Sequence, residues 1–336
     1  TEPRARLSAK LAELTPGDID VFFYTNGGAE ANENAIKLAR QFTGRQKIMV
    51  RYRSYHGATG QAIVDHPGID KLAFTGSTAV GKMIARSIAG TRKRATLELG
   101  GKAANIIFDD APIDQAVEGI VNGIFFNQGH VCCAGSRILV QENIAEDLDR
   151  RLKRRLATLR VGDPMDKNTD VGAINSRKQL DRIEEMVAVG EAEGAQRWDS
   201  GCELPTNGFW FRPTVFSGVS QTHRIAQEEI FGPVVSVLTF RTPAEAVAKA
   251  NNTPYGLSAG VWTEKGSRIL WMADQLRAGV VWANTFNKFD PTSPFGGYKE
   301  SGYGREGGRH GLEAYVTTAG PLERASGADR SKGASK

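Results

Sequence analysis

The chain reads Leu97-Glu98-Leu99-Gly100-Gly101-Lys102 and then Phe126-Asn127-Gln128-Gly129-His130-Val131-Cys132-Cys133-Ala134-Gly135-Ser136-Arg137. Glu98 and Cys132 stand 34 positions apart. A carboxylate flanked by leucines is short of water, so its pKa rises toward the range in which it can take and return a proton. A thiol in a Gly-rich turn becomes a strong nucleophile once a base or a positive field helps it ionise. The pair therefore points to covalent catalysis with a Glu-assisted proton step. On spacing alone the plainer reading stands first, with Cys132 and Cys133 as small buried fillers and Glu98 as a surface residue beside a turn.

The surroundings decide between them. The chain has 336 residues, 40% hydrophobic and 24% charged, which is enough for two domains of ordinary size in a soluble globular class. No apolar run approaches the roughly 18 residues that span a bilayer, so no membrane partner is expected. Thr1-Glu2-Pro3-Arg4-Ala5-Arg6 lacks the apolar segment of a secretory signal. Three cysteines, two of them adjacent, make no disulfide framework; they fit a reducing compartment, and a cytoplasmic location is expected. The net charge of +5 is mild. Its densest cluster, Arg150 to Arg155, carries Leu148, Leu152, Leu156 and Leu159 at helical spacing, which reads as a helix with a solvated basic face. No aromatic interleaving accompanies it, so no nucleic-acid partner is expected. No metal site is expected either.

Strands and helices alternate outward from the quoted stretch. Upstream, Leu72–Thr75 reads as a strand, Gly76-Ser77 as a turn, residues 77–89 as a helix and Arg94–Leu97 as a strand delivering Glu98. A helix N-terminus with a hydroxyl suits a pyrophosphate, although Gly-Ser-Thr alone is a common cap. Downstream, strands are expected at 137–140, 212–215, 234–240, 258–262 and 278–282, and helices near 142–159, 176–193, 243–251 and 265–276. That alternation predicts an α/β fold with a largely parallel, Rossmann-type sheet.

Leu97–Lys102 and Asn127–Cys132 resemble the two signature segments of the aldehyde dehydrogenase superfamily, in its order and at its separation. The resemblance extends over residues 60–316 and takes in Gln227-Glu228-Glu229-Ile230-Phe231-Gly232-Pro233 and Ser293-Pro294-Phe295-Gly296-Gly297-Tyr298-Lys299-Glu300-Ser301-Gly302. It implies NAD(P)-dependent oxidation of an aldehyde through a cysteine thioester. Cys132 would be the nucleophile, Glu98 the base and Asn127 the residue ordering the turn. Gly76, Ser77, Gly81, Leu99, Glu229 and Phe231 would hold NAD or NADP, with NAD favoured and Gln179 and Arg182 as rim candidates. Phe126, Phe289 and Phe295 would line an aldehyde tunnel, though three phenylalanines are as readily core. His130 stands where the family usually has Gln. A homo-oligomer is the family norm.

Residues 1–58 read differently. Leu7–Leu14 is a short amphipathic helix, Val21–Thr25 a strand, Asn26-Gly27-Gly28-Ala29-Glu30-Ala31 a turn into a helix, and Lys47–Val50 a second strand before Tyr55-His56-Gly57. This part resembles class III pyridoxal-phosphate aminotransferases, yet nothing downstream resembles that family's lysine or acidic partner, so no transaminase activity is expected. The resemblances meet at Gly57-Ala58-Thr59-Gly60, as in a gene fusion. The expected organisation is an aminotransferase-like fragment at 1–59, the rest of the cofactor domain at 60–98, a catalytic domain at 99–300, an arm at 301–318 and a disordered tail at 319–336. The first half of the family's cofactor domain, with an oxyanion-hole Asn, has no counterpart here, so turnover is expected to be weak or absent. A catalytically inactive fusion product is the alternative.

Overall fold

The computed structural model describes residues 2–15, 17, 19, 21, 22, 24, 35 and 64–316. The expected Gly27–Gly28 turn, the strand at 47–50, Tyr55, His56, the junction at 57–60 and the tail at 319–336 lie outside the described residues, and the strand expected at 21–25 is described only in part. The chain divides into two compact units: Thr1–Asp70 with Ser87–Arg92, and Lys71–Arg86 with Lys93–Lys336.

The first unit contributes helix α1 (Glu2–Leu14), none of whose residues is buried. Thr15 closes it by donating its hydroxyl to Leu11 O at 2.9 Å, and Ser8 shares a 3.0 Å hydrogen bond with the Tyr24 hydroxyl.

The second unit begins with β1 (Lys71–Thr75), α2 (Thr78–Ile88, of which 78–86 belong here) and β2 (Arg94–Glu98). β1 and β2 are parallel, with Thr75 opposite Glu98. There follow β3 (Ala104–Ile107), α3 (Ile113–Ile120), a π turn over Val121–Phe125, a 3-10 turn over Phe126–Gly129 and β4 (Arg137–Gln141). Next are α4 (Ala145–Leu156), α5 (Arg177–Ala192), β5 (Gln196–Asp199), β6 (Thr214–Ser217), the short α6 (Arg224–Gln227), β7 (Val234–Phe240) and α7 (Pro243–Asn251). The last elements are β8 (Tyr255–Gly256), β9 (Ser258–Trp262), α8 (Gly266–Gln275), β10 (Val280–Ala283), β11 (Tyr298–Lys299), β12 (Gly302–Tyr303) and α9 (Gly308–Glu313).

Seven strands form the main sheet in the order β10-β9-β3-β4-β7-β6-β5, parallel throughout except for β5 against β6. β3 lies inside it and is buried along its whole length, as expected of a parallel strand covered on both faces. One apolar cluster gathers Leu139, Ile183, Phe216 and Phe240, and another gathers Ile107, Ile120, Leu152 and Val235. α4 shows how the second is built. Leu148, Leu152 and Leu156 repeat every fourth residue and are buried, each contributing about 1.5–3 kcal/mol. Its basic face, read from sequence as solvated, is partly tied down: Arg151 pairs with Asp114 at 2.7 Å and Arg155 with Glu118 at 2.6 Å, both on α3.

A smaller sheet, β1-β2-β12, carries the site. β12 runs antiparallel to β2 and sets Gly302 opposite Glu98. Gly302 has φ +106°, and a Cβ there would overlap Leu97 O, so only glycine lets the two backbones close together.

Candidate active site

Glu98 ends β2, at the carboxyl end of parallel strands where α/β sheets place their ligands. It is 3% exposed, and neither carboxylate oxygen has a hydrogen-bond partner. Burial pushes its pKa up to about 8; the nearby Glu306 carboxylate and Cys132 add to the rise, and Arg305 opposes it. Glu306 and Arg305 were not expected at the site from sequence. They arrive there because β12 pairs with β2 across more than two hundred positions, and no local pattern announces such a pairing.

Cys132 lies in the loop between the 3-10 turn and β4. Helix α3 runs into the π turn, and π turns recur at functional positions. Asn127, Gln128 and Gly129 then adopt positive φ in succession. Asn127 donates its side-chain amide to His130 O at 3.1 Å and so closes this left-handed turn. A Cβ on Gly101 would overlap the Cys132 carbonyl, so the Gly-Gly pair lets the two signature segments touch.

The Cys132 thiol is acidified. The largest cause is a hydrogen bond from the Cys133 thiol, with further help from the backbone N–H groups of Cys133 and Cys132; burial and Glu229 oppose it. The Cys133 thiol is pushed far up, because the Cys132 thiolate holds its proton and burial penalises its charge. Cys133 Sγ also lies 3.5 Å from Asn287 Oδ1, an acceptor for the same proton while Cys132 is neutral.

Glu229 accepts the Gly101 N–H at 3.0 Å, and burial raises its pKa against the pull of that N–H and of Lys102. Phe231 holds φ +56° and stacks flat on His130 at 5.3 Å between ring centroids. Gln179 donates its amide to Ile230 O at 2.9 Å and Phe231 O at 3.0 Å, which fixes that strained backbone. Arg182 pairs with Glu228 at 2.7 Å and Glu185 at 3.0 Å. Both rim candidates are thus engaged with protein groups.

At the other end of the site, Gly76 N–H donates to Glu98 O at 3.0 Å, and Ser77, exposed, caps α2 through Val80 N–H at 3.4 Å. Gly81 packs against the Leu99 side chain. Thr78 Oγ1 accepts the Gly100 N–H at 3.3 Å, and Ser301 Oγ donates to Gly100 O at 2.6 Å. Thr78 and Ser301 belong to the Gly-Ser-Thr turn and the late family segment, and no role was read for either hydroxyl from the sequence.

The three candidate tunnel phenylalanines separate. Phe289 and Phe295 meet edge to face at 5.4 Å, and Phe295 packs on the small cluster that includes Cys132 and Cys133. Phe126 is exposed.

The sequence profile described as "Aldehyde dehydrogenase family" matches residues 52–319, and that described as "Aminotransferase class-III" matches residues 1–79. Both matches overrun the boundaries expected from motifs and overlap over residues 52–79. The chain is 48% identical to retinal dehydrogenase 2 of Homo sapiens over 262 residues, which are 78% of this chain and 51% of that one. Betaine aldehyde dehydrogenase from Staphylococcus aureus, solved in complex with NAD+, superposes with TM-score 0.75 at 39% identity, covering 78% of this chain and 53% of that one. The aldehyde dehydrogenase KauB from Pseudomonas aeruginosa gives TM-score 0.74 at 41% identity over 77% and 54% of the two chains. The chain spans about half the length of the relatives it matches.

Proposed function

Because this chain belongs to the aldehyde dehydrogenase family, we propose that its site is built for the oxidation of an aldehyde to a carboxylic acid through a thioester on Cys132, with NAD as electron acceptor. The observation that carries the reading is the meeting of the two signature segments: a Cβ on Gly101 would overlap the Cys132 carbonyl, and the charge of Cys132 is felt at the buried Glu98. Glu98 is raised and Cys132 lowered, so the two titrate in neighbouring ranges, as perturbed groups at a functional site do.

The residues present fit the nicotinamide end of the cofactor. Glu229 is a half-buried carboxylate that accepts the Gly101 N–H, chemistry suited to ribose hydroxyls, and Phe231 offers a ring held in place by His130 and Gln179. Gly76 and Ser77, at the start of α2, suit the phosphates. When bound, the cofactor supplies the hydride acceptor.

The Cys132 thiolate attacks the carbonyl carbon, and its own backbone N–H partly holds the oxyanion. Loss of hydride from that carbon leaves the thioester. Glu98 in its ionised form, which gains population as pH approaches 8, takes a proton from water, the oxygen adds to the acyl carbon, and the Cys132 thiolate leaves with the acid formed. Asn127 keeps the turn in shape. Phe295 adds an apolar ring to the cluster against which Cys132 packs, with the exposed Phe289 edge-on behind it.

We further propose that turnover is weak. The residues leading into the matched stretch resemble another family, and loss of one oxyanion donor costs about 10²–10³ in rate. Purified chain supplied with NAD and a simple aldehyde is expected to produce NADH slowly if at all; ordinary family rates would refute this. The aminotransferase-like segment is a remnant of a gene fusion in this reading. Pyridoxal phosphate added to the chain is expected to leave no protein-bound chromophore, and a stable band would count against it.

A further inference from the structure

Beneath the catalytic loop, Lys102 and Arg137 are buried together at 1% and 2% exposure. Arg137 spends its donors on neutral acceptors: Nε on Lys102 O at 2.9 Å, Nη1 on Lys249 O at 3.1 Å and Nη2 on Ala250 O at 2.8 Å. Lys102 Nζ has no hydrogen-bond partner. Both residues line a small cavity of about 20 Å³, shared with Tyr255, Ser258 and the exposed Arg277. Three cations and no carboxylate are among its lining residues. Lys299, which donates to Asn251 O and Thr253 O in the same wall, adds a fourth positive charge just behind.

The nearby carboxylates do not close this balance. Glu229 and Glu228 attract Lys102 but lie outside the lining. One oxygen of Glu229 holds the Gly101 N–H, and Glu228 is held by Arg224 at 2.6 Å and Arg182 at 2.7 Å. An unpaired buried ammonium is costly, and a protein relieves it by neutralisation or by a counter-ion.

We propose that this cavity is a binding site for a single halide-sized monovalent anion, held by Lys102 and the positive field of Arg137, Arg277 and Lys299. A volume of about 20 Å³ suits one small guest. Without the anion, burial and Arg137 hold Lys102 down to about 7, so the ammonium is half lost near neutral pH. The anion favours the charged form, and its affinity therefore falls as pH rises through that value. Tyr255, kept neutral by a raised pKa, adds no charge in this range. Since Lys102 follows Gly101 directly, occupancy steadies the backbone that touches Glu229 and Cys132.

The test exchanges chloride or bromide for gluconate at constant ionic strength and follows thermal unfolding of the whole chain. Wild type is expected to gain about 2–4 °C, saturating near 0.1 M halide, with a larger gain at about pH 6.5 than at about pH 8.5. Lys102→Met, an apolar near-isostere, should fold and show no such gain. A bromide soak should give an anomalous peak beside Lys102. Unfolding indifferent to halide, an equal gain in K102M, or a water without anomalous signal in the cavity would each overturn the proposal.

Discussion

Glu98 keeps its proton to about pH 8 because burial removes its water and Glu306 and Cys132 surround it with negative charge. The unfolded chain ionises the same group near 4.5, so folding retains a proton that unfolding releases. The stability Glu98 contributes is therefore full below about 4.5 and lost as pH rises toward 8. Glu98→Gln should leave stability nearly unchanged at low pH and exceed wild type progressively up to pH 8, by at most about 5 kcal/mol; urea unfolding across that range checks the sign. Cys132 depends on its neighbour. Cys133→Ala removes the thiol that donates to the thiolate, and iodoacetamide labelling of Cys132 near neutral pH should slow about ten-fold, measured by mass spectrometry. Glu98 and Cys132 stood out through the family's two signature segments, since their spacing alone favoured a structural reading. Glu306 did not, since it acts through a fold contact far away in the sequence, and Ser301 was read as part of a late family segment without a role of its own.

Regular periodicity made most elements readable. Val234–Phe240, Ser258–Trp262 and Pro243–Asn251 fall where the sequence places them; in the last, Thr242 caps the helix through Glu245 N–H at 3.2 Å and Pro243 opens it. The strand expected at 212–215 instead runs Thr214–Ser217, because Pro213 has no N–H to give to a ladder. The helix expected over 142–159 opens with a 3-10 turn and spans Ala145–Leu156. β3 went unread: Ala104–Ile107, with Asn105 among its four residues, is too short to show a period. α3 was unread because it is short and dissolves into the π turn and three left-handed residues. The tightest joint between elements is β12 on β2. Gly302→Ala would force a Cβ into Leu97 O at positive φ and should cost at least about 2 kcal/mol, read as a lower urea midpoint.

At the scale of the whole chain, two family profiles match one sequence, and the described site lies in the second unit. Over 77–78% of its length the chain superposes on relatives at TM-score 0.74–0.75. The small sheet has three strands, and the outer edge of β1 has no strand partner among the described residues. No helix among the described residues is long and apolar enough to cross a membrane. The account rests on Cys132 and Glu98 acting on one acyl group, and an activated ester tests this without any cofactor. Given p-nitrophenyl acetate, wild type should release nitrophenol with slow turnover, while Glu98→Gln should retain the acetyl group on Cys132, visible by peptide mass. Equal deacylation in both proteins, or acetylation elsewhere than Cys132, would contradict the account.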